Sequence, residues 1–243
     1  MILVPEEITL IAQVSDLHLD DKKSAEMGID TRANFLKVLE NIKERTVAEI
    51  VFTGDLAEKT AVGWFFETLE KSGLRYSCVP GNHDDITNFP AIGAGSGEDE
   101  YYYARGIEAH TLIFLDTGRA SVSSSQLAWM KKQIDETDKD PVLFMHHPVI
   151  DCGNTYMDAA YPLKNRDAVY QVLRETGRDI TIFCGHYHFI DYRRADNIRQ
   201  YTAPSVYYQI KKIGGKLETE DLPIGYRLIK IDGGISAEII NVI

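Results

Sequence analysis

The sequence predicts an α/β protein in which two β-sheets pack face to face with helices outside. Three observations carry this. Short apolar runs alternate with helix-period segments along the first three quarters of the chain, which is the pattern of a layered α/β protein rather than a bundle. The apolar runs end in polar, metal-binding residue types. Beyond residue 186 the helical segments stop, and short Tyr-, Ile- and Val-rich strands follow one another.

The elements follow in order. Ile8 to Val14 reads as a strand and Ala33 to Ile42 as a helix with apolar residues on one face. Ile50-Val51-Phe52 is a buried strand, Trp64 to Leu69 a helix, and Tyr76 to Val79 another strand. Leu112 to Leu115, a helix over Gln126 to Ile134, Val142 to Met145, a helix over Ala168 to Leu173, and Ile180 to Phe183 continue the alternation. The tail, with turns at Asp196-Asn197, Gly214-Gly215 and Asp232-Gly233-Gly234, reads as an antiparallel sheet. Ala91 to Glu100, rich in glycine and acid, reads as a mobile loop.

A chain of 243 residues with 44% hydrophobic content buries a full core, and a single domain over 1–243 is expected. Its formal net charge of -11 argues against partners that are nucleic-acid polymers or anionic membranes. A small phosphorylated substrate remains compatible, because a few cations in a pocket offset global acidity. Met1 to Glu7 lacks a positive segment and breaks at Pro5, so it reads as neither signal peptide nor anchor. Cys78, Cys152 and Cys184 show no CxxC spacing, which speaks against a disulfide framework and makes a reducing cytoplasm the simplest compartment. Cys152 is expected to be exposed near a site.

The chemistry lies where the strands end. Strand one runs into Asp16-Leu17-His18, strand two into Gly54-Asp55, and strand three into Gly81-Asn82-His83-Asp84. Met145 gives way to His146-His147-Pro148, and Cys184 to Gly185-His186-Tyr187-His188. Of seven histidines, only His110 falls outside these segments. Carboxyl ends of strands are where α/β sheets bind ligands, so the side chains converge on one crevice. Positions i and i+2 of an extended segment share a face, which would let Asp16 and His18 chelate one ion, and His186 and His188 in part. Carboxylate, imidazole and amide without thiolate suit Mn, Fe or Zn. Asp55 is the natural bridge, offering its two oxygens to two ions.

This ordered set resembles the motif series of the calcineurin-like metallophosphoesterases, and it spans residues 14 to 188 without a gap in the ligand positions. The resemblance implies a four-layer αββα sandwich and two metal ions. One would be held by Asp16, His18, Asp55 and His188, the other by Asp55, Asn82, His146 and His186. His147 competes for the place given to His146, which is favoured because it directly follows the strand; His147 would then contact substrate. Asn82 and His83 would also face the phosphate, with His83 assisting departure of the leaving oxygen. Related phosphatases orient that histidine with an aspartate three positions after the bridging one. Glu58 stands there in this chain, so its orienting role is an expectation about a longer side chain.

Two further segments resemble one branch, the class III cyclic-nucleotide phosphodiesterases with their glycerophosphodiesterase relatives: Leu115-Asp116-Thr117 followed by Ser125-Gln126-Leu127-Ala128-Trp129, and His146-His147-Pro148 followed by Met157-Asp158 and Leu163-Lys164-Asn165. The resemblance implies hydrolysis of a small phosphodiester, foremost a cyclic nucleotide such as 3′,5′-cAMP, by a hydroxide bridging the ions. The alternatives are a glycerophosphodiester or another small-molecule phosphoester, including a monoester, and, remotely, a non-catalytic scaffold. The branch and the Tyr/Ile-rich tail are compatible with a homodimer. Trp64, Phe65, Phe66 and Trp129 read as packing residues, Asp116 as a turn former, and Tyr101 to Tyr103 as alternating strand residues with one ring exposed.

Overall fold

A computed structural model describes residues 8–90, 100–107 and 110–243. The expected leading segment and most of the expected loop at 91–100 lie outside them. The chain opens with β1 (Thr9–Val14), a short α1 (Lys22–Glu26), α2 (Thr31–Lys43), β2 (Glu49–Thr53), α3 (Val62–Ser72) and β3 (Tyr76–Val79). Then come β4 (Tyr103–Ile107), β5 (His110–Phe114), α4 (Ser124–Glu136), β6 (Asp140–Phe144), α5 (Met157–Ala160), α6 (Arg166–Glu175) and β7 (Ile180–Cys184). The tail holds β8 (Asp191–Ala195), β9 (Ile198–Thr202), β10 (Gln209–Ile210), β11 (Thr219–Glu220), β12 (Ile224–Ile231) and β13 (Ile235–Val242).

Local chemistry explains the helices. The Asp30 carboxylate accepts from the Ala33 amide at the start of α2, and the Ser123 hydroxyl accepts from the Gln126 amide at the start of α4, satisfying donors that the first turn leaves free. Within α2 the buried residues Phe35, Val38, Leu39 and Ile42 recur at the three- and four-residue spacing of one helix face. α3 stops at Gly73, whose φ of 71° lets the chain turn left-handed.

Two large sheets result, ordered β13-β12-β1-β2-β3 and β4-β5-β6-β7-β9-β8. Side-chain alternation divides the core into three apolar layers. Along β1, Ala12 and Val14 pack under α2 and α3, while Ile11 points the other way. Along β6, Leu143 packs under α4 and α6, whereas Val142 and Phe144 join Ile11, Val51 and Ile229 in the layer between the sheets. Helices, sheet, sheet, helices is the four-layer order expected. A ladder of near-parallel rings, Tyr103, Phe114, Phe144, Phe183 and Tyr201, crosses the second sheet at centroid spacings of 4.4 to 5.5 Å.

Three expectations are corrected. Apart from the short antiparallel β10–β11 pair, the tail does not make a sheet of its own: β8 and β9 extend the second sheet, with β9 parallel to β7, and β12 and β13 extend the first beside β1. Hairpin turns dictate local antiparallel pairing, but both parent sheets had open edges and the tail covers one of each. Cys152 is fully buried, beside Met157, Tyr187, Phe189 and Ile210, because the segment after His147 folds back under that apolar cluster. Tyr101 and Tyr102 precede β4 rather than alternating along it, and no ring of the three is exposed.

Candidate metal centre

The strand ends of both sheets meet at one edge. The Asp16 amide donates to the Gly54 carbonyl (3.0 Å), the His18 amide to the Asp55 carbonyl (3.0 Å), and the Gly185 amide to the His146 carbonyl (3.0 Å). The His186 amide donates to both Asp16 carboxylate oxygens, at 3.0 and 3.1 Å, and so ties the second sheet to the first. The convergence does not arise from extended alternation. Asp16, His18, Asp55, His186 and His188 have φ values of 54°, 46°, 53°, 69° and 51°, a left-handed region that L-residues other than glycine seldom enter and that costs on the order of 1–3 kcal/mol where it is held.

Glycine permits the close approach. A Cβ on Gly54, itself at φ 92°, would sit 2.5 Å from His146 Nδ1 and 2.7 Å from the Gly81 amide nitrogen. One on Gly185 would sit 2.6 Å from Asp16 Oδ2. The glycines beside these residues therefore admit the neighbouring strand end as well as turn the chain.

Two groups form. Asp16, His18 and His188 each offer a ligand atom within 4.8 Å of the others, and so do Asp55, His146 and His186. His188 Nε2 lies 3.2 Å from His18 Nε2 and 3.3 Å from Asp16 Oδ1. Asp55 stands between the groups: its Oδ2 is 3.2 Å from His146 Nε2 and 3.5 Å from His18 Nε2. Its Oδ1 accepts the His83 amide at 2.9 Å. Oδ2 is thus the Asp55 oxygen that faces both histidine groups, while Oδ1 is engaged by the main chain.

The donor set fits metal ions. His146 Nδ1 donates to the Thr53 carbonyl at 2.7 Å, so the neutral imidazole presents Nε2 as a bare lone pair; that atom is buried and faces the Asp55 carboxylate at 3.2 Å. Acceptors facing one another in a buried site call for a cation between them. The charges respond accordingly. Burial works against the imidazolium of His146, but Asp55 and then Asp16 outweigh it and push the group up to about 9. Burial pulls His18 down to about 4 and His186 down to about 3, the latter helped by His146. Burial would raise the Asp55 carboxyl, yet His146 and His18 hold it well below its ordinary value.

The remaining predicted residues fall around this centre. His83 is exposed, with its ring 5.0 Å from that of His18. Asn82 is exposed on the same turn, and its side chain makes no hydrogen bond among the described residues. His147 is buried with its ring 4.1 Å from His186. The Thr117 hydroxyl accepts the His146 and His147 amides (3.3 and 3.1 Å) and lies 3.0 Å from His147 Nδ1, to which its own proton is then directed. Burial, with His186 and His146 adding to it, keeps His147 neutral by holding its imidazolium well below the ordinary value.

Glu58 is corrected. Among the described residues its side chain reaches no partner, and its main chain binds Leu19, Ala61 and Val62 at the start of α3. The carboxylate that approaches His83 belongs to Asp21, which offers a ligand atom within 4.8 Å of both His18 and His83. Sequence reasoning missed Asp21, which belongs to none of the strand-end motifs; its Oδ1 caps α1. Asp116 does shape a turn, accepting from the Gly118 and Tyr101 amides, while Gln126 brackets its main chain (2.7 and 2.9 Å) and so supports Thr117.

Comparison with known proteins agrees with this geometry. A family model described as "Calcineurin-like phosphoesterase" matches residues 9–189. A Fibrobacter succinogenes protein named "Probable cyclic nucleotide phosphodiesterase" is 29% identical over 211 residues, covering 84% of this chain and 82% of that one. The Enterobacter lignolyticus "Glycerophosphodiester phosphodiesterase GpdQ" is 28% identical over 222 residues, covering 83% and 78%. The crystal structure of a dimetal phosphatase from Danio rerio superposes with a TM-score of 0.65 at 14% identity, covering 99% of this chain and all of that one, a likeness of fold. No helix among the described residues is long and apolar enough to cross a membrane.

Proposed function

The chain belongs to the calcineurin-like phosphoesterase family, hydrolases of phosphoesters, and from that premise we propose that it is a binuclear phosphodiesterase acting on a small diester, first a cyclic nucleotide such as 3′,5′-cAMP. Asp16, His18, Asp55 and His188 would hold one ion, and Asp55, Asn82, His146 and His186 the other. The observation that carries this reading is the position of Asp55 Oδ2, within 3.5 Å of an imidazole Nε2 in each group. Divalent or trivalent ions of Mn, Fe or Zn bound there would supply positive charge to the phosphoryl oxygens and acidify water.

The protein's own residues do the rest. Asp16 and Asp55 are fixed by main-chain amides, so the ligand geometry is set before substrate arrives. His83, exposed at the mouth, gives a proton to the leaving oxygen. His147, its Nδ1 satisfied by Thr117, keeps a proton on Nε2 for a phosphate oxygen.

The two relatives carry names for different diesters, so the substrate must be measured. Under matched Mn²⁺, kcat/KM is compared across cyclic nucleotides, glycerophosphodiesters and phosphomonoesters. Preference for a cyclic nucleotide is the expected result. Preference for a glycerophosphodiester keeps the reaction and changes the substrate, whereas a strong monoester preference defeats the proposal.

A further inference from the structure

The candidate ligand histidines share a second contact that sets which nitrogen is free. His146 Nδ1 donates to the Thr53 carbonyl at 2.7 Å, His186 Nε2 to the Tyr161 carbonyl at 2.9 Å, and His188 Nδ1 to the Tyr208 carbonyl at 3.0 Å. A carbonyl only accepts, so each of these nitrogens carries the proton and the other presents a lone pair to the centre.

His18 departs from the pattern. Its Nε2 faces His188 and Asp55, and among the described residues its Nδ1 has no carbonyl partner. Instead Nδ1 faces Asp21 Oδ2 at 4.0 Å, a gap that one bridging water or a small side-chain rotation closes. Asp21 is held for this. Its Oδ1 accepts the Lys23 amide at 2.7 Å as the cap of α1, which leaves Oδ2 toward His18.

We propose that Asp21 is a positioning residue for one metal site: its carboxylate receives His18 Nδ1–H and sets the affinity of the Asp16–His18–His188 group while leaving the Asp55–His146–His186 group alone. The proposal rests on the two-ion reading above. A carboxylate acceptor makes an imidazole a stronger ligand than a neutral carbonyl does, and loss of such an outer contact typically weakens metal binding by about 10–100-fold. Both carboxylate oxygens of Asp21 are thereby employed, one for the helix and one for the site.

The test titrates Mn²⁺ alone into the metal-free full chain by calorimetry. Wild type should bind two ions. Asp21→Asn keeps a capping oxygen but loses the charge, and it should weaken one ion by about 10–100-fold with the other unchanged. In a His188→Ala background, which removes the same group, Asp21→Asn should not alter the remaining ion. Asp21→Glu, which restores the charge, should recover part of the lost affinity. The proposal is overturned if Asp21→Asn leaves both ions as in wild type, weakens both alike, still weakens the ion that survives His188→Ala, or removes a third ion while two stay intact. Fewer than two ions on wild type would instead defeat the two-ion reading itself.

Discussion

Replacing Gly81 with alanine puts a methyl carbon 2.8 Å from Asp55 Cγ, and closer still to Asp55 Oδ1 and the Asp55 amide nitrogen. Real Cβ atoms essentially never come within 3.0 Å of such neighbours. The obstructing atoms include main chain, so no side-chain rotation relieves the clash; either the Gly81 turn or the Asp55 strand end must move. Overpacking of this kind costs about 1–3 kcal/mol, and in a chain of this size each kcal/mol lowers the melting temperature by about 2–4 °C. A drop of roughly 2–12 °C is therefore expected, multiplying the two ranges. The clash also pushes on the oxygen that accepts the His83 amide and hence on the carboxylate shared by both histidine groups. Bound metal should fall by at least about tenfold, the smaller cost seen when an outer contact is lost. Gly63→Ala serves as control: Gly63 is exposed in α3 with open space where a Cβ would go, so alanine there is neutral or stabilising by up to about 1 kcal/mol. Calorimetric melting with metal analysis on both variants decides the matter. A Gly81→Ala protein that melts like wild type with two ions bound would refute the close-approach argument.

Further expectations concern the same centre. Asp55→Ala should empty both metal sites and His188→Ala mainly one, because among the described residues only the Asp55 carboxylate lies within 3.5 Å of a ring nitrogen in each group; metal content per chain measures this, and two tightly held ions in Asp55→Ala would remove the bridging assignment. His83→Ala should keep both ions yet lose about 10²–10⁴-fold on alkyl diesters and far less on bis-nitrophenyl phosphate, since a general acid matters most for a basic leaving oxygen. Equal losses on both substrates would leave His83 without an acid role. In chelator-treated protein, His146 is raised from its ordinary 6.5 to about 9. Its contribution to stability is complete below pH 6.5 and disappears as pH rises through about 9. Melting temperature from pH 6.5 to 9.5 should show this alkaline decline, and His146→Gln should abolish it.

How much of this could be read beforehand depended on whether a signal was local. The strands ending at Val14, Thr53, Val79, Phe144 and Cys184 announce themselves as largely apolar runs, broken only by single small or polar residues such as Gln13, Ser77 and Thr181, because both faces of each are covered. β4, reading Tyr-Ala-Arg-Gly-Ile, carries no such run, and its pairing with β5 supplies what its own composition lacks. The division of the tail between two sheets likewise depends on which distant edges are open. At the centre, residue types and order were legible, but the left-handed backbone at Asp16 and His18 was not, since neither residue type demands it. Asp21 illustrates a different blindness. It belongs to none of the strand-end motifs, so nothing local points to its second oxygen.

The candidate ligands come from both sheets: Asp16, His18, Asp55 and Asn82 follow β1, β2 and β3, while His146, His186 and His188 follow β6 and β7. An ion held by Asp16, His18 and His188 would therefore act as a removable cross-link between the halves of the sandwich, closing loops of more than a hundred residues as a disulfide would. Metal availability then governs cooperativity as well as chemistry. With ions bound, the sheets should open as one unit, stabilised by mass action according to free ion concentration. With ions stripped, the left-handed strain at the seam has less to hold it, and hydrogen exchange should quicken first in the amides of Asp16, His18, Gly185 and His186, which donate across the strand ends, ahead of the apolar layer beneath them.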